Sequence, residues 1–239
     1  MATIANNFCC DGAYFFTFLR MVQALMPPFI AGLVCPEVLA AASAIKKCNV
    51  LEIRYDLFKD VAMWGSLSQK VSELNPKALR IGTIRLEKDG GKWENERASE
   101  RGELFEKISG GLDYLDLERG IDLPVKNKII RSWHLFDRVP GEQELAEFAE
   151  ECLESKACGC KVAAMAHSKD EALPLYNFAK KYGKKFELFS AFAMGEHGKE
   201  SRVRSLKEGA NLAYASIGKP LAPGQLSVDF FLDLFNIWI

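Results

Sequence analysis

The sequence predicts a single (β/α)8 barrel, and three observations support that fold class. The chain has 239 residues, which is near the usual size of one such barrel. Short apolar segments alternate with amphipathic segments of helical spacing, which indicates parallel strands joined by helices. Charged residues follow several of the apolar segments, at the place where a barrel of this kind carries its active site.

Eight apolar segments are the candidate strands of the barrel. An open doubly wound sheet is the alternative, but no G-x-G-x-x-G motif follows the first segment. The predicted strands are FIAGLV (29–34), VLEIRY (50–55), LRIGTI (79–84), LDYLDL (112–117), KIIRSW (128–133), CKVAAM (160–165), FELFSAF (186–192) and NLAYAS (211–216).

Helical spacing of apolar residues occurs between most of these strands and once after the last. The connection between the fourth and fifth strands is too short for a full helix, so one barrel helix is expected to be missing there. The predicted helices lie within 36–48, 102–111, 141–155, 169–183, 200–209 and 226–235.

The first 27 residues are predicted to be an extension outside the barrel domain, which spans 28–239. They begin an apolar stretch, but Arg20 and the Pro27-Pro28 pair interrupt it and no basic residue precedes it. A signal peptide or membrane span is therefore not expected. The extension either packs on the barrel or reflects the choice of start codon, with Met21 and Met26 as other starts.

Composition excludes several classes of partner. The net charge is −1 with acidic and basic residues interspersed, so no nucleic-acid or membrane partner is expected. The seven cysteines are odd in number, and their spacing matches neither a zinc site nor a disulfide framework. A reducing cytoplasm is the predicted location.

Charged residues mark the ends of the second and third predicted strands. Glu52, Arg54 and Asp56 alternate with apolar residues and so share one face of the second strand. Their grouping is explained either by a structural ion pair or by a functional site. Arg85 follows the third strand and leads into a polar loop with a Gly90-Gly91 turn.

Lys161 lies inside the sixth predicted strand, CKVAAM, with no carboxylate close to it in the sequence. A buried lysine without a partner loses solvation and presents a free amine, which attacks carbonyl groups. The alternative is a lysine at the end of a strand whose charged head reaches water along its own stem. Lys161 alone does not decide between the two.

The order of the polar motifs decides it. The chain contains EIRYD, TIR, KDGG, SWHLF, CKVAAMA, MGEHGKESR and APGQ in that order and spacing, and over about residues 29 to 236 it resembles the type I 3-dehydroquinate dehydratases. The resemblance implies a (β/α)8 barrel that converts 3-dehydroquinate to 3-dehydroshikimate without a metal or added cofactor. That reaction is the third step of the shikimate pathway to the aromatic amino acids.

The resemblance also implies the roles of individual residues. Lys161 matches the lysine that forms a Schiff base with the substrate ketone, and His134 matches the general acid/base. Glu52 and Asp89 match supporting catalytic positions. The implied substrate-binding residues are Arg202 for the carboxylate, Arg54, Arg85 and Gln225 for the ring hydroxyls, and Met194 and Tyr214 for the wall.

Three positions depart from the family pattern. Leu135 follows His134 where an aspartate is frequent, so a contact to the histidine is missing or is supplied by Asp137. Asp89 stands where glutamate is frequent and is one methylene shorter, which puts its reach to His134 in doubt. Leu221 replaces a frequent serine and removes one hydroxyl contact to the substrate.

Other functions compete with this interpretation. An aldolase-type barrel would use the same lysine together with a phosphate site, and a non-catalytic binding barrel would not need Lys161 and His134 together. A metal-dependent hydrolase would draw on Glu52, Asp56, His134, His167 and His197, but the histidines lack ligand-like spacing. A homodimer and a natural fusion to a shikimate dehydrogenase domain are the assemblies to consider.

Overall fold

The computed structural model describes residues 28–39, 42–222 and 224–236. The predicted extension over residues 1–27 lies outside the described residues. Eight parallel strands form a nearly closed barrel in the order β7-β6-β5-β4-β3-β2-β1-β8, which confirms the predicted fold class. The strands are β1 (Phe29–Val34), β2 (Val50–Arg54), β3 (Leu79–Thr83), β4 (Tyr114–Glu118), β5 (Lys128–Leu135), β6 (Gly159–Met165), β7 (Leu188–Met194) and β8 (Leu212–Ser216).

Helices cover the outer face of the barrel. They are α1 (Pro36–Leu39), α2 (Ala42–Ile45), α3 (Trp64–Leu74), α4 (Arg101–Ile108), α5 (Glu142–Glu154), α6 (Leu173–Tyr182), α7 (Gly198–Glu208) and α8 (Val228–Phe235). Helix α3 is not among the predicted helices. No helix in the described part of the chain is both long and apolar enough to span a bilayer.

The segment between β4 and β5 contains no helix, as the sequence predicts. Arg131 on β5 holds this segment against the barrel through hydrogen bonds, where a packed helix would otherwise do so. Its guanidinium donates to the backbone oxygens of Glu118 and Ile121 and to the carboxylate of Asp122 at 2.8 Å. One long side chain therefore satisfies several polar groups along the connection.

Two apolar layers position the site. One lies between the sheet and the helices, and it contains Trp64, Phe105, Phe148 and Phe231. The other fills the barrel interior toward the amino ends of the strands and includes Ala31, Val50, Ile81, Tyr114, Ile130, Leu188 and Leu212. Because side chains alternate along each strand, the next inward positions toward the carboxyl ends carry the polar residues of the site.

The barrel has a seam between β7 and β8. Among the described residues these two strands stand at the ends of the strand order. Asn211 joins them, because its backbone N–H donates to the oxygen of Phe189 at 3.1 Å and its side-chain oxygen accepts from the nitrogen of Phe189 at 2.7 Å. One asparagine thus supplies the bonds that a ladder would otherwise provide.

Candidate active site

A cavity of about 110 Å³ opens at the carboxyl ends of the strands, which is where a barrel of this type places its chemistry. All ten predicted site residues line it: Glu52, Arg54, Arg85, Asp89, His134, Lys161, Met194, Arg202, Tyr214 and Gln225. They come from β2, β5, β6, β7, β8, α7 and the loops that follow β3 and β8. The fold therefore gathers residues that are up to 173 positions apart in the chain, as the span from Glu52 to Gln225 shows.

Lys161 is buried within the barrel and is held by two carboxylates. Its Nζ lies 2.9 Å from Oδ2 of Asp116 and 3.4 Å from Oε1 of Glu52. The same nitrogen lies 3.8 Å from the ring centroid of Tyr214, which adds a cation–π contact. The expectation of a lysine without a countercharge is wrong, because β2 and β4 supply partners that are distant in sequence.

Asp116 belongs to a buried ion network that the sequence did not reveal. Arg85 contacts Oδ1 of Asp116 at 2.7 Å and Oε1 of Glu118 at 3.0 Å, and its Nη1 donates to Oγ of Ser132 at 2.9 Å. The Ser132 hydroxyl donates in turn to Asp116. Burial alone would raise the pKa of Asp116, but the charges of Arg85 and Lys161 outweigh it and hold that pKa well below its usual range.

The signal for Asp116 was present in the strand itself. Asp116 lies between Leu115 and Leu117 in a buried strand, and a carboxylate in such a position requires a cationic partner. Glu118 has one as well, because Arg101 on α4 donates to its Oε2 at 2.6 Å. Periodicity alone could not name these partners, since they come from other strands and helices.

His134 lies at the end of β5 with a depressed pKa. Burial is the largest cause, and the positive charges of Arg85 and Lys161 lower the pKa further, well below 6.5. The imidazole is therefore neutral near pH 7 and able to accept a proton. Its Nδ1 is buried and has no hydrogen-bond partner within the described part of the chain.

The shorter side chain of Asp89 puts its reach to His134 in doubt, and the two side chains form no hydrogen bond through Oδ2 of Asp89 or Nδ1 of His134. Oδ2 of Asp89 is also buried without a hydrogen-bond partner among the described residues. Burial, with the charge of Glu118, raises the pKa of Asp89. Asp137 is the other residue considered as a partner for His134. It is exposed in the loop after β5, where its backbone oxygen lies 3.0 Å from Nε2 of His167.

The loop that carries Asp89 is anchored to β2 through Asp56. The Asp56 carboxylate accepts two hydrogen bonds from Arg54, at 2.9 and 2.7 Å, and one from the backbone nitrogen of Lys92 at 3.1 Å. Gly91 is required in this loop, because a Cβ there would lie 2.0 Å from the backbone oxygen of Arg85. Asp56 thus positions both Arg54 and the loop.

Arg202 is the buried cation of the cavity that no carboxylate approaches within the described chain. Its guanidinium stacks 3.8 Å from the ring centroid of Phe192 and donates to backbone oxygens of Gly224 at 3.2 Å and Tyr214 at 3.4 Å. Burial lowers its pKa to about 9, so the group remains charged at neutral pH. An anionic ligand would supply the missing countercharge.

The mouth of the cavity is formed by the loop after β8 and by two exposed apolar side chains. Gln225 is buried there, and its Oε1 accepts from the backbone nitrogen of Leu221 at 2.8 Å. Leu221 is 44% exposed and Phe136 is 46% exposed. Both line the cavity and give its rim an apolar surface.

The residues named for the metal-dependent alternative do not assemble. No group of three or more metal-ligating side chains occurs among the described residues. His167 is exposed, and His197 precedes helix α7. The cavity instead combines an amine, a neutral imidazole and an uncompensated guanidinium, which suits a carbonyl compound that bears one carboxylate.

Known proteins are similar to this chain in sequence and in fold. The sequence matches the type I 3-dehydroquinase family over residues 33–237. It is similar to the 3-dehydroquinate dehydratase of Methanococcus maripaludis strain C7, with 36% identity over 224 residues that cover 88% of this chain and 97% of that protein. The fold is similar to the 3-dehydroquinate dehydratase of Geobacillus kaustophilus, with a TM-score of 0.79, 24% identity, and coverage of 88% of this chain and 90% of that one.

A third similarity involves a longer chain, described as dehydroquinate dehydratase and shikimate dehydrogenase from S. pombe AroM. The TM-score is 0.69 with 22% identity, and the match covers 89% of this chain and 45% of that chain. The described barrel is therefore similar in fold to part of that protein.

Proposed function

Since the chain belongs to the type I 3-dehydroquinase family, we propose that it dehydrates 3-dehydroquinate to 3-dehydroshikimate through an imine on Lys161. The observation that carries the proposal is one cavity lined by the Lys161 amine, a neutral His134 and the uncompensated Arg202. The product is an intermediate of the shikimate pathway, and the reaction is its third step.

Imine formation begins the reaction. The Lys161 nitrogen bonds to the ketone carbon of the substrate, and the ketone oxygen leaves as water. The resulting iminium draws electrons from the adjacent ring carbon and makes its hydrogen acidic. Neutral His134 removes that proton to give an enamine. The imidazolium then protonates the departing hydroxyl, and water releases the product from Lys161.

Binding is divided among the other residues of the cavity. Arg202 holds the substrate carboxylate, because a buried guanidinium without a countercharge gains most from an anion. Arg54 and Gln225 contact the ring hydroxyls, while Met194 and Tyr214 form the wall. Arg85 already forms ion pairs with Asp116 and Glu118 and a hydrogen bond to Ser132, so it acts chiefly on the charge of the catalytic pair.

Asp89 and Glu52 are the supporting groups in this proposal. Glu52 accepts from Thr83 Oγ1 at 2.9 Å and contacts Lys161, so it helps to hold the amine. Asp89 and Nδ1 of His134 both lack partners, and a bound substrate that closes the loop would bring them together. We further propose a cytoplasmic enzyme without a metal or cofactor, with a homodimer and a fused shikimate dehydrogenase domain as the assemblies to test.

Borohydride reduction tests the imine. The protein is incubated with 3-dehydroquinate and EDTA, borohydride is added during turnover, and the peptides are analysed by mass spectrometry. One ligand-derived mass on the peptide that contains Lys161 is expected, with loss of activity, and borohydride without ligand should have no effect. The proposal fails if the mass maps to another lysine, such as Lys199, or if activity in EDTA returns only after a metal is added.

A further inference from the structure

The partner of the Lys161 nitrogen carries a further inference. Asp116 is 1% exposed, and its two carboxylate oxygens contact different groups. Oδ2 lies 2.9 Å from Nζ of Lys161, whereas Oδ1 is fixed by Arg85 at 2.7 Å and by the hydroxyl of Ser132. The carboxylate is therefore oriented before any ligand arrives.

We infer that Asp116 is a catalytic residue that serves as the counterion of the Lys161 nitrogen, first as an ammonium and then as the iminium. The inference rests on the proposed imine mechanism. It assigns to Asp116 a part in forming and breaking the imine, in addition to the proton transfers proposed for His134.

The charge on nitrogen explains why one carboxylate can serve both states. When the ammonium condenses with the ketone, the nitrogen forms a bond to the ketone carbon and loses two protons. The ketone oxygen leaves with those two protons as water, so the nitrogen ends with one hydrogen and the same positive charge. Positive charge returns to the nitrogen as the neutral carbinolamine loses water, and a fixed carboxylate at hydrogen-bond distance stabilises that developing charge and the iminium that follows.

Asp116 is better suited to this part than Glu52. Glu52 is farther from the nitrogen, at 3.4 Å, and the same oxygen already accepts from Thr83 at 2.9 Å. The neighbouring cations Arg85 and Lys161 overcome the effect of burial and keep the pKa of Asp116 well below its usual range. Asp116 is thus a carboxylate when the ligand arrives.

The test compares Asp116→Asn with Glu118→Gln. Both variants remove one buried carboxylate that pairs with Arg85, but only Asp116 contacts Lys161. Asp116→Asn should lower kcat and the rate of borohydride trapping by about 10²-fold or more, as for a lost group that stabilises charge in a buried site, with little change in KM. Glu118→Gln should trap the imine at close to the wild-type rate.

Three results would overturn the inference. Trapping and turnover by Asp116→Asn at wild-type rates would do so directly. An equal loss of trapping in Glu118→Gln would show that the effect comes from a displaced Arg85. A raised KM with unchanged kcat would assign Asp116 to binding alone. If the wild type itself gains no mass at Lys161 during turnover, the proposed function fails and the inference falls with it.

A stability measurement covers the case in which Asp116→Asn folds but is too unstable for kinetic assays. The double variant Lys161→Met with Asp116→Asn removes both charges, while Arg85 keeps Glu118. Its midpoint of urea denaturation should lie above that of Asp116→Asn alone, because no buried ammonium that has lost its nearer carboxylate remains in the barrel. A double variant that is no more stable than Asp116→Asn would overturn the pairing.

Discussion

The two sides of the cavity differ in how their charges are satisfied. On the side formed by β2 to β6, the cations Arg54, Arg85 and Lys161 each contact at least one carboxylate. On the side formed by β7, β8 and α7, Arg202 contacts an aromatic ring and two backbone oxygens but no carboxylate among the residues that the structure describes. We call these the paired side and the unpaired side.

The difference indicates which parts of the site are complete before ligand binds. A buried charge that is paired and hydrogen-bonded has a fixed position, and such fixed groups lower the cost of reorganisation during a reaction. A buried cation without a countercharge has lost its solvation and gains no attraction from an ion pair in return. The paired side therefore suits catalysis, while the unpaired side suits recognition of an anion.

His134→Ala tests the catalytic assignment of the paired side and has the largest expected effect. We expect kcat to fall by about 10²- to 10⁴-fold, because the proton-transfer group is lost. Borohydride should still trap the imine, since Lys161 and its partners remain. His167→Ala is the matched control, because His167 is exposed outside the cavity. Wild-type turnover by His134→Ala would remove His134 from the mechanism.

Arg202→Lys tests the unpaired side. The substitution retains the charge but loses the planar fork, so KM should rise by roughly 10- to 100-fold, as for the loss of a hydrogen bond to a charged group worth about 1.5–3 kcal/mol. Borohydride trapping at saturating substrate should be nearly unchanged. Arg204→Lys is the control, since Arg204 stacks on Tyr176 at 4.4 Å and does not line the cavity. An unchanged KM in Arg202→Lys would indicate that a cation of the paired side binds the substrate carboxylate instead.

The protonation of His134 can be measured without activity. Burial and the cations Arg85 and Lys161 hold its pKa well below 6.5, so the imidazole should stay neutral as the pH falls through that value. The unfolded chain binds a proton there and the folded chain does not, so this group makes folding less favourable below about pH 6.5. NMR titration checks this, with the His134→Gln spectrum identifying the signal among three histidines. A midpoint at or above 6.5 would contradict the charge distribution of the paired side.

Leu221→Ser has the smallest expected effect and concerns the rim. The side chain is 44% exposed, so little apolar burial is lost, and a hydroxyl would restore the substrate contact that this chain lacks. One added hydrogen bond should lower KM by about two- to fivefold with kcat unchanged. Met63→Ser, an equally exposed apolar position outside the cavity, should leave KM unaltered. A higher KM for Leu221→Ser would indicate that the apolar rim itself binds substrate.

The fold could be predicted from the sequence because its signals are local. The bounds of β1 were predicted in full, since a single apolar segment defines them. For β4 the prediction began at residue 112, but the strand begins at Tyr114. Asp113 lies at a bend before the strand, where its carboxylate accepts from the backbone nitrogen of Arg80 on β3 at 2.8 Å, so a side chain makes the contact to β3 ahead of the regular ladder.

The electrostatics of the site could not be predicted in the same way. Lys161 was found from the motif in its own strand, but its partners Asp116 and Glu52 lie 45 and 109 residues away. Only the closure of the barrel brings these residues together. The doubt about the reach of Asp89 to His134, by contrast, rests on the length of one side chain, and Oδ2 of Asp89 and Nδ1 of His134 both lack a partner among the described residues.

At the seam by Asn211, the unpaired side of the barrel is held together differently from the rest of the wall. Strands β7 and β8 carry Phe192, Met194 and Tyr214, and between those residues the wall is continuous without a regular ladder of backbone bonds. At the cavity end Arg202 itself spans the seam, because its guanidinium stacks on Phe192 of β7 and donates to the backbone oxygen of Tyr214 of β8. The residue proposed to bind the substrate carboxylate therefore also helps to hold the two strands together.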